Sequence, residues 1–121
     1  MEREILFKAK NKHGEWIYGI PTFDMKYLFD AGNYNSPDSY EIDPKTLCQF
    51  TGFFDKKGTK IFESDMIQDE DKNKFIVKWQ DGAWFIESLV KLKNEPVFSH
   101  WLYFDGIDPK EWAENIGNLI E

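Results

Sequence analysis

The sequence predicts a mostly β chain of the α+β class, and three observations carry that reading. Short runs of apolar and aromatic residues recur along the chain, several with strand-like alternation. Polar turns ending in glycine separate them, at Asn11-Lys12-His13-Gly14, Asp55-Lys56-Lys57-Gly58 and Gln80-Asp81-Gly82. Two Asp-Pro pairs, Asp43-Pro44 and Asp108-Pro109, open short helical turns, because aspartate caps and proline suits the first helical position.

In residues 3–10, Ile5, Phe7 and Ala9 fall on one face of a first strand. The turn at residues 11–14 returns the chain as a second strand over 15–20, so the chain opens with a hairpin. Residues 23–29 predict a third strand, with Lys26-Tyr27-Leu28-Phe29 its strongest part. Residues 30–39 are rich in Gly, Asn, Ser and Pro and mark a surface loop. Asp43 then caps a helical turn that begins at Pro44.

Next comes the most informative segment, residues 49–67. Asp55 at the first position of a type I turn accepts backbone N–H bonds, and Gly58 at the fourth takes the left-handed conformation. Lys60-Ile61-Phe62-Glu63 reads as a strand that Glu63-Ser64-Asp65 bends and Met66-Ile67 resumes. Turn and bend chemistry is thus the plain reading of Asp55, Glu63 and Asp65. The sharper alternative makes Glu63 and Asp65 a pair of acid–base carboxylates in a small hydrolase.

Residues 75–79 and 83–87 flank Gln80-Asp81-Gly82, and Asp-Gly is a preferred type I′ loop. That loop pairs Gln80 with Ala83, Trp79 with Trp84, Lys78 with Phe85 and Val77 with Ile86. Trp79, Trp84, Val77 and Ile86 then share one face, which is predicted to be buried with the two tryptophans in contact. Residues 99–104 form a further aromatic strand. Asp108, Pro109 and Glu111 start a short helix, Trp112 anchors it to the core, Gly117 ends it, and Leu119-Ile120 add a last strand.

The segment Gln49, Phe50, Thr51, Gly52, Asp55, Gly58, Ile61, Phe62, Glu63, Asp65 and Ile67 resembles the central signature of the YopX family, small proteins encoded mainly by phages and prophages. Ile42, Pro44 and Thr46 match its lead-in. Residues 3–7 and 14–19 match its first hairpin, and residues 116–121 match its closing segment. Two positions depart: Ser64 stands where the family has Gly, and Lys8 where relatives often have Arg. If position 64 needs a positive φ, Ser64 is strained there. The resemblance implies a small N-terminal α+β part over residues 1–47 and an SH3-like β-barrel with a short C-terminal helix over 48–121, together one compact chain. It implies no established activity and no catalytic residues.

Composition narrows the partners. Eleven Phe, five Trp and five Tyr in 121 residues build an aromatic β core, and any surplus belongs at an interface. A net charge of −7 argues against broad phosphate-backbone binding. Lys8, Lys10 and Lys12 alternate along one edge, and Lys56, Lys57 and Lys60 cluster at a hairpin tip, positions where lysine protects edges and aids solubility. The single Cys48 fits a reducing cytosol and a small core residue better than a dyad with His100. The N-terminal residues hold no signal-peptide run and no segment is apolar enough to span a membrane, so a cytoplasmic protein is expected.

No metal or cofactor is expected. Asp69, Asp71 and Asn73 have the spacing of a calcium loop, but Lys74 and Gln80 stand where it needs Gly and Glu, leaving a solvated hairpin tip. His13, Cys48 and His100 lack zinc-like spacing. The expectation is a non-enzymatic interaction module for a host or phage protein, with self-association open to it and nucleic acid a second option through Lys56, Lys57 and Lys60. The candidate surface joins Asp30, Asn33, Tyr34 and Asn35 of the loop to Lys56, Lys57 and Lys60 of the tip.

Overall fold

The computed structural model of the protein describes residues 4–30, 39–80, 82–88, 99–101 and 108–120. Among them the chain is mostly β, with two antiparallel sheets, no α-helix, and helical structure only as short 3-10 turns. It divides into two compact units, Met1–Phe50 and Thr51–Glu121.

The first unit holds β1 (Phe7–Lys10), β2 (Trp16–Pro21), β3 (Tyr27–Asp30), β4 (Ser39–Glu41) and the start of β5 (Cys48–Phe54). The opening hairpin forms as predicted, with Lys8 opposite Tyr18 and Lys10 opposite Trp16. Its turn is built by Asn11, whose Oδ1 accepts from His13 N at 2.9 Å and Glu15 N at 3.0 Å. The third strand is shorter than predicted: it begins at Tyr27, and Phe23 lies fully exposed. Residues 22–26 turn instead, because Asp24 Oδ1 accepts from Thr22 Oγ1 (2.6 Å) and Lys26 N (3.0 Å) and so competes with strand pairing. These bonds hold the Asp24 carboxyl below its ordinary value.

Lys8, Lys10 and Lys12 do not line an edge, since β1 pairs with both β2 and β5; Lys8 is buried. Ala9, Leu28 and Ile42 form this unit's core, packed by Phe7, Ile17 and Leu47. The segment supplying Ile42 and Leu47 is held by the 3-10 turn Pro44–Thr46, which Asp43 caps as expected. Thr46 Oγ1 fastens that turn to β1 by accepting from Lys10 N at 2.8 Å. Cys48 is buried, in line with its reading as a small core residue.

The second unit holds the rest of β5, then β6 (Lys60–Phe62), β7 (Asp65–Gln68), β8 (Lys74–Gln80), β9 (Ala83–Ser88), β10 (Ser99–Trp101) and β11 (Glu114–Asn118). Five of these make a sheet in the order β10-β9-β8-β7-β11. The expected SH3-like barrel is not found. β10 and β11 are separate edges of that sheet, and no pairing among the described residues joins them. The core is Ile61, Ile67, Val77, Trp84, Ile86 and Ala113, with Phe53, Phe75 and Trp112 against it.

The β8–β9 hairpin has the predicted register at all four pairs, from Gln80–Ala83 to Val77–Ile86. The tryptophans touch, with ring centroids 4.8 Å apart. The expected burial fails at one position: Trp84 is 8 % exposed but Trp79 is 46 %. β7 pairs with β8 only as far as Ile76, so Trp79 lies on the overhang of a two-stranded ribbon. Asp81 lies outside the described residues; Gly82 has φ +81°.

The C-terminal helix is also absent. Asp108 caps and Pro109 starts a turn as predicted, but it is a single 3-10 turn, Pro109–Glu111. Trp112 does pack on the core, edge-on to Phe75 at 6.0 Å. Residues 114–118 then leave helical geometry to pair with β7, a tertiary ladder that outweighs the local helix start. Gly117 therefore ends no helix; it sits at a register shift inside β11, and Leu119-Ile120 form a turn. No helix among the described residues is long and apolar enough to cross a membrane.

Candidate functional site

Four signature residues, Thr51, Asp55, Gly58 and Asp65, take part in a chain of polar contacts in the second unit, whereas Gln49 lies in the first. Thr51 begins it. Its Oγ1 donates to Ile61 O at 2.7 Å and accepts from Phe53 N at 3.0 Å, tying β5 to β6. Asp55 follows at the predicted turn, where Gly58 has φ +83° and donates to Asp55 O. Asp55 Oδ1 accepts from Lys57 N (2.9 Å) and Thr59 N (2.8 Å). Its Oδ2 accepts from Asn115 N at 2.9 Å, sixty residues away in sequence. Burial pushes this carboxyl up, but the three backbone N–H donors together outweigh it and hold Asp55 below its ordinary value.

Asp65 is the second node and is buried. Its Oδ2 accepts from Phe62 N at 2.7 Å and Asn115 Nδ2 at 2.8 Å, and its Oδ1 accepts from Asn118 Nδ2 at 2.8 Å. Asn115 thus bridges the two aspartates, one through its backbone and the other through its side chain. Its Nδ2 also donates to Lys60 O and its Oδ1 accepts from Gly117 N, which fits the register shift there. Asn118 Nδ2 donates to Glu63 O as well. Ser64, in the bend, has φ +68°, so the position does require the left-handed region. Sequence reasoning assigned Asp55 and Asp65 to turns but missed their partners Asn115 and Asn118. For Asn118 the available signal was the likeness of residues 116–121 to the family's closing segment; Asn115 lies just before it.

The arrangement pins two turns and the last strand into one unit. The Asp65 oxygens face donors inside the network. The Asp69 turn has the same logic on a smaller scale: its Oδ1 accepts from Asp71 N and Asn73 N, and its Oδ2 from Asn73 Nδ2.

Of the candidate binding residues, Lys56 and Lys57 are exposed at the hairpin tip. Lys57 Nζ pairs with Glu114 Oε1 at 3.2 Å, a bond and charge that lower the Glu114 carboxyl. Lys60 is half-buried with its ammonium 5.5 Å from the centre of the Phe54 ring. Asp30 closes β3, and Asn33, Tyr34 and Asn35 lie outside the described residues, as does the side chain of His100.

A different surface stands out in the first unit. Cross-strand partners share a face, as do alternate residues of a strand. Opposite the Ala9–Leu28 core, β2 presents Trp16, Tyr18 and Ile20, and β3 presents Tyr27 and Phe29. Tyr18 is 48 % exposed, and Tyr27 and Phe29 are each 39 % exposed. The ammoniums of Lys8 and Lys10 lie 4.5 and 5.3 Å from the Trp16 ring centre.

Fold and site together define a small, two-unit β protein whose signature carboxylates organise backbone turns. The chain belongs to the YopX family: the family model described as YopX protein matches residues 7–121. No curated protein matches the chain.

Proposed function

We propose that the protein is a non-enzymatic interaction module that binds protein through the aromatic face of its first sheet. The carrying observation is the exposure of Tyr18, Tyr27 and Phe29 side by side, on the face opposite that unit's core. Aromatic side chains are enriched in contact surfaces and give large contact area at low entropic cost. The roles of Asp55 and Asp65 in bonding turns support the non-enzymatic part of the reading. In the phage or prophage setting of this family, the partners open to the module are bacterial proteins, phage proteins and its own copies.

The test is affinity capture from bacterial lysate, with and without nuclease, using wild type and a Tyr18→Ser/Phe29→Ser variant as baits. The expected result is a protein retained by wild type and lost by the variant, both baits giving the same far-UV circular dichroism. An identical set of proteins on both baits refutes the surface. Retained material that disappears with nuclease moves nucleic acid ahead of protein as the partner.

A further inference from the structure

We propose that the occupant of the aromatic face is a second copy of this chain, docked about a two-fold axis. The inference rests on reading that face as a protein-contact surface and deepens it by naming the partner. What points to a second copy is the charge at the two ends of the stripe. At one end Lys10 lies opposite Trp16, its ammonium over the indole ring. At the other end Glu41 lies opposite Tyr27 and is exposed. Between them run Tyr18 and the directly paired Ile20 and Phe29.

The stripe therefore crosses four neighbouring strands, β1 to β4, from a cation to an anion. Six residues of strand rise and three strand spacings separate its ends, a distance of about 25 Å. A two-fold axis lying in the contact plane, at right angles to the stripe and midway between Tyr18 and Phe29, exchanges the ends. Lys10 of each copy then meets Glu41 of the other, and the aromatic centres stack on one another. Such a self-complementary patch is what a two-fold interface requires. A contact confined to this one stripe is expected to dissociate on dilution.

Sedimentation velocity of the full chain over a hundredfold range of concentration tests this. Wild type is expected to move from monomer to dimer. Lys10→Glu and Glu41→Lys, each placing like charges together twice, are expected to weaken the dimer at least about tenfold. The double variant Lys10→Glu/Glu41→Lys restores opposite charges and is expected to recover it. Circular dichroism checks that each variant is folded, and Tyr18→Ser, at a half-exposed position, provides a second route to the monomer. A wild type that stays monomeric overturns the proposal, as does a dimer indifferent to either reversal or a double variant that is not rescued. A monomer that still captures a nuclease-resistant protein through Tyr18 and Phe29 sinks the self-pairing alone. A monomer that captures nothing sinks the contact surface as well.

Discussion

Replacing Asp55 by Asn tests whether the signature aspartates work as backbone acceptors. The amide keeps the shape of the side chain, and its oxygen can still accept from Lys57 N and Thr59 N. Its Nδ2 then stands where Oδ2 accepted from Asn115 N at 2.9 Å, setting donor against donor. One charge-assisted bond to a backbone donor is lost, an effect of about 2–3 kcal/mol. With a urea slope of about 1–3 kcal/mol per molar, the unfolding midpoint should fall by about 0.7–3 M at pH 7. The assay is urea unfolding followed by tryptophan fluorescence, with wild type and variant compared from pH 7 downward. Because the folded carboxyl sits below its ordinary 3.8, its stabilisation is complete above that pH and disappears as pH falls through the folded value. The gap between the two proteins should therefore close on acidification, other titrating groups being common to both. A gap that is absent at pH 7, or that stays constant into acid, refutes the reasoning.

Asp65→Asn should destabilise by about 2–4 kcal/mol, because one of the donors on Phe62, Asn115 or Asn118 must then face an N–H; a midpoint unchanged in urea would contradict this. Trp84→Ala should cost about 3–5 kcal/mol, whereas Trp79→Ala on the exposed overhang should cost no more than about 1.5 kcal/mol, the worth of its edge contact with Trp84. Equal losses in thermal or urea unfolding would remove the distinction. Ser64→Gly should stabilise by about 0.5–1 kcal/mol, since φ +68° strains a side chain with a Cβ and not glycine; a lower melting temperature would count against it.

Local chemistry made the turns legible. The Asp55–Gly58 turn, the Asp43 and Asp108 caps and the register of the β8–β9 hairpin all follow from residues within a few positions of one another. Prediction failed for two different reasons, one distant and one local. The helix expected after Asp108 gives way because residues 114–118 find β7, some fifty residues earlier in the chain. The third strand shrinks because Asp24 captures nearby donors before pairing can use them.

By itself, the sequence determined that this is an aromatic-rich β protein of the YopX family, with Asp55 and Asp65 in its turns, because turn propensity and alternation are encoded between near neighbours. Only the tertiary structure decided that Asn115 bridges both aspartates, that Trp79 stays exposed while Trp84 is buried, and that Tyr18, Tyr27 and Phe29 share an open face. Those outcomes depend on which strands pair and where the pairing stops, and no local signal in the chain specifies either.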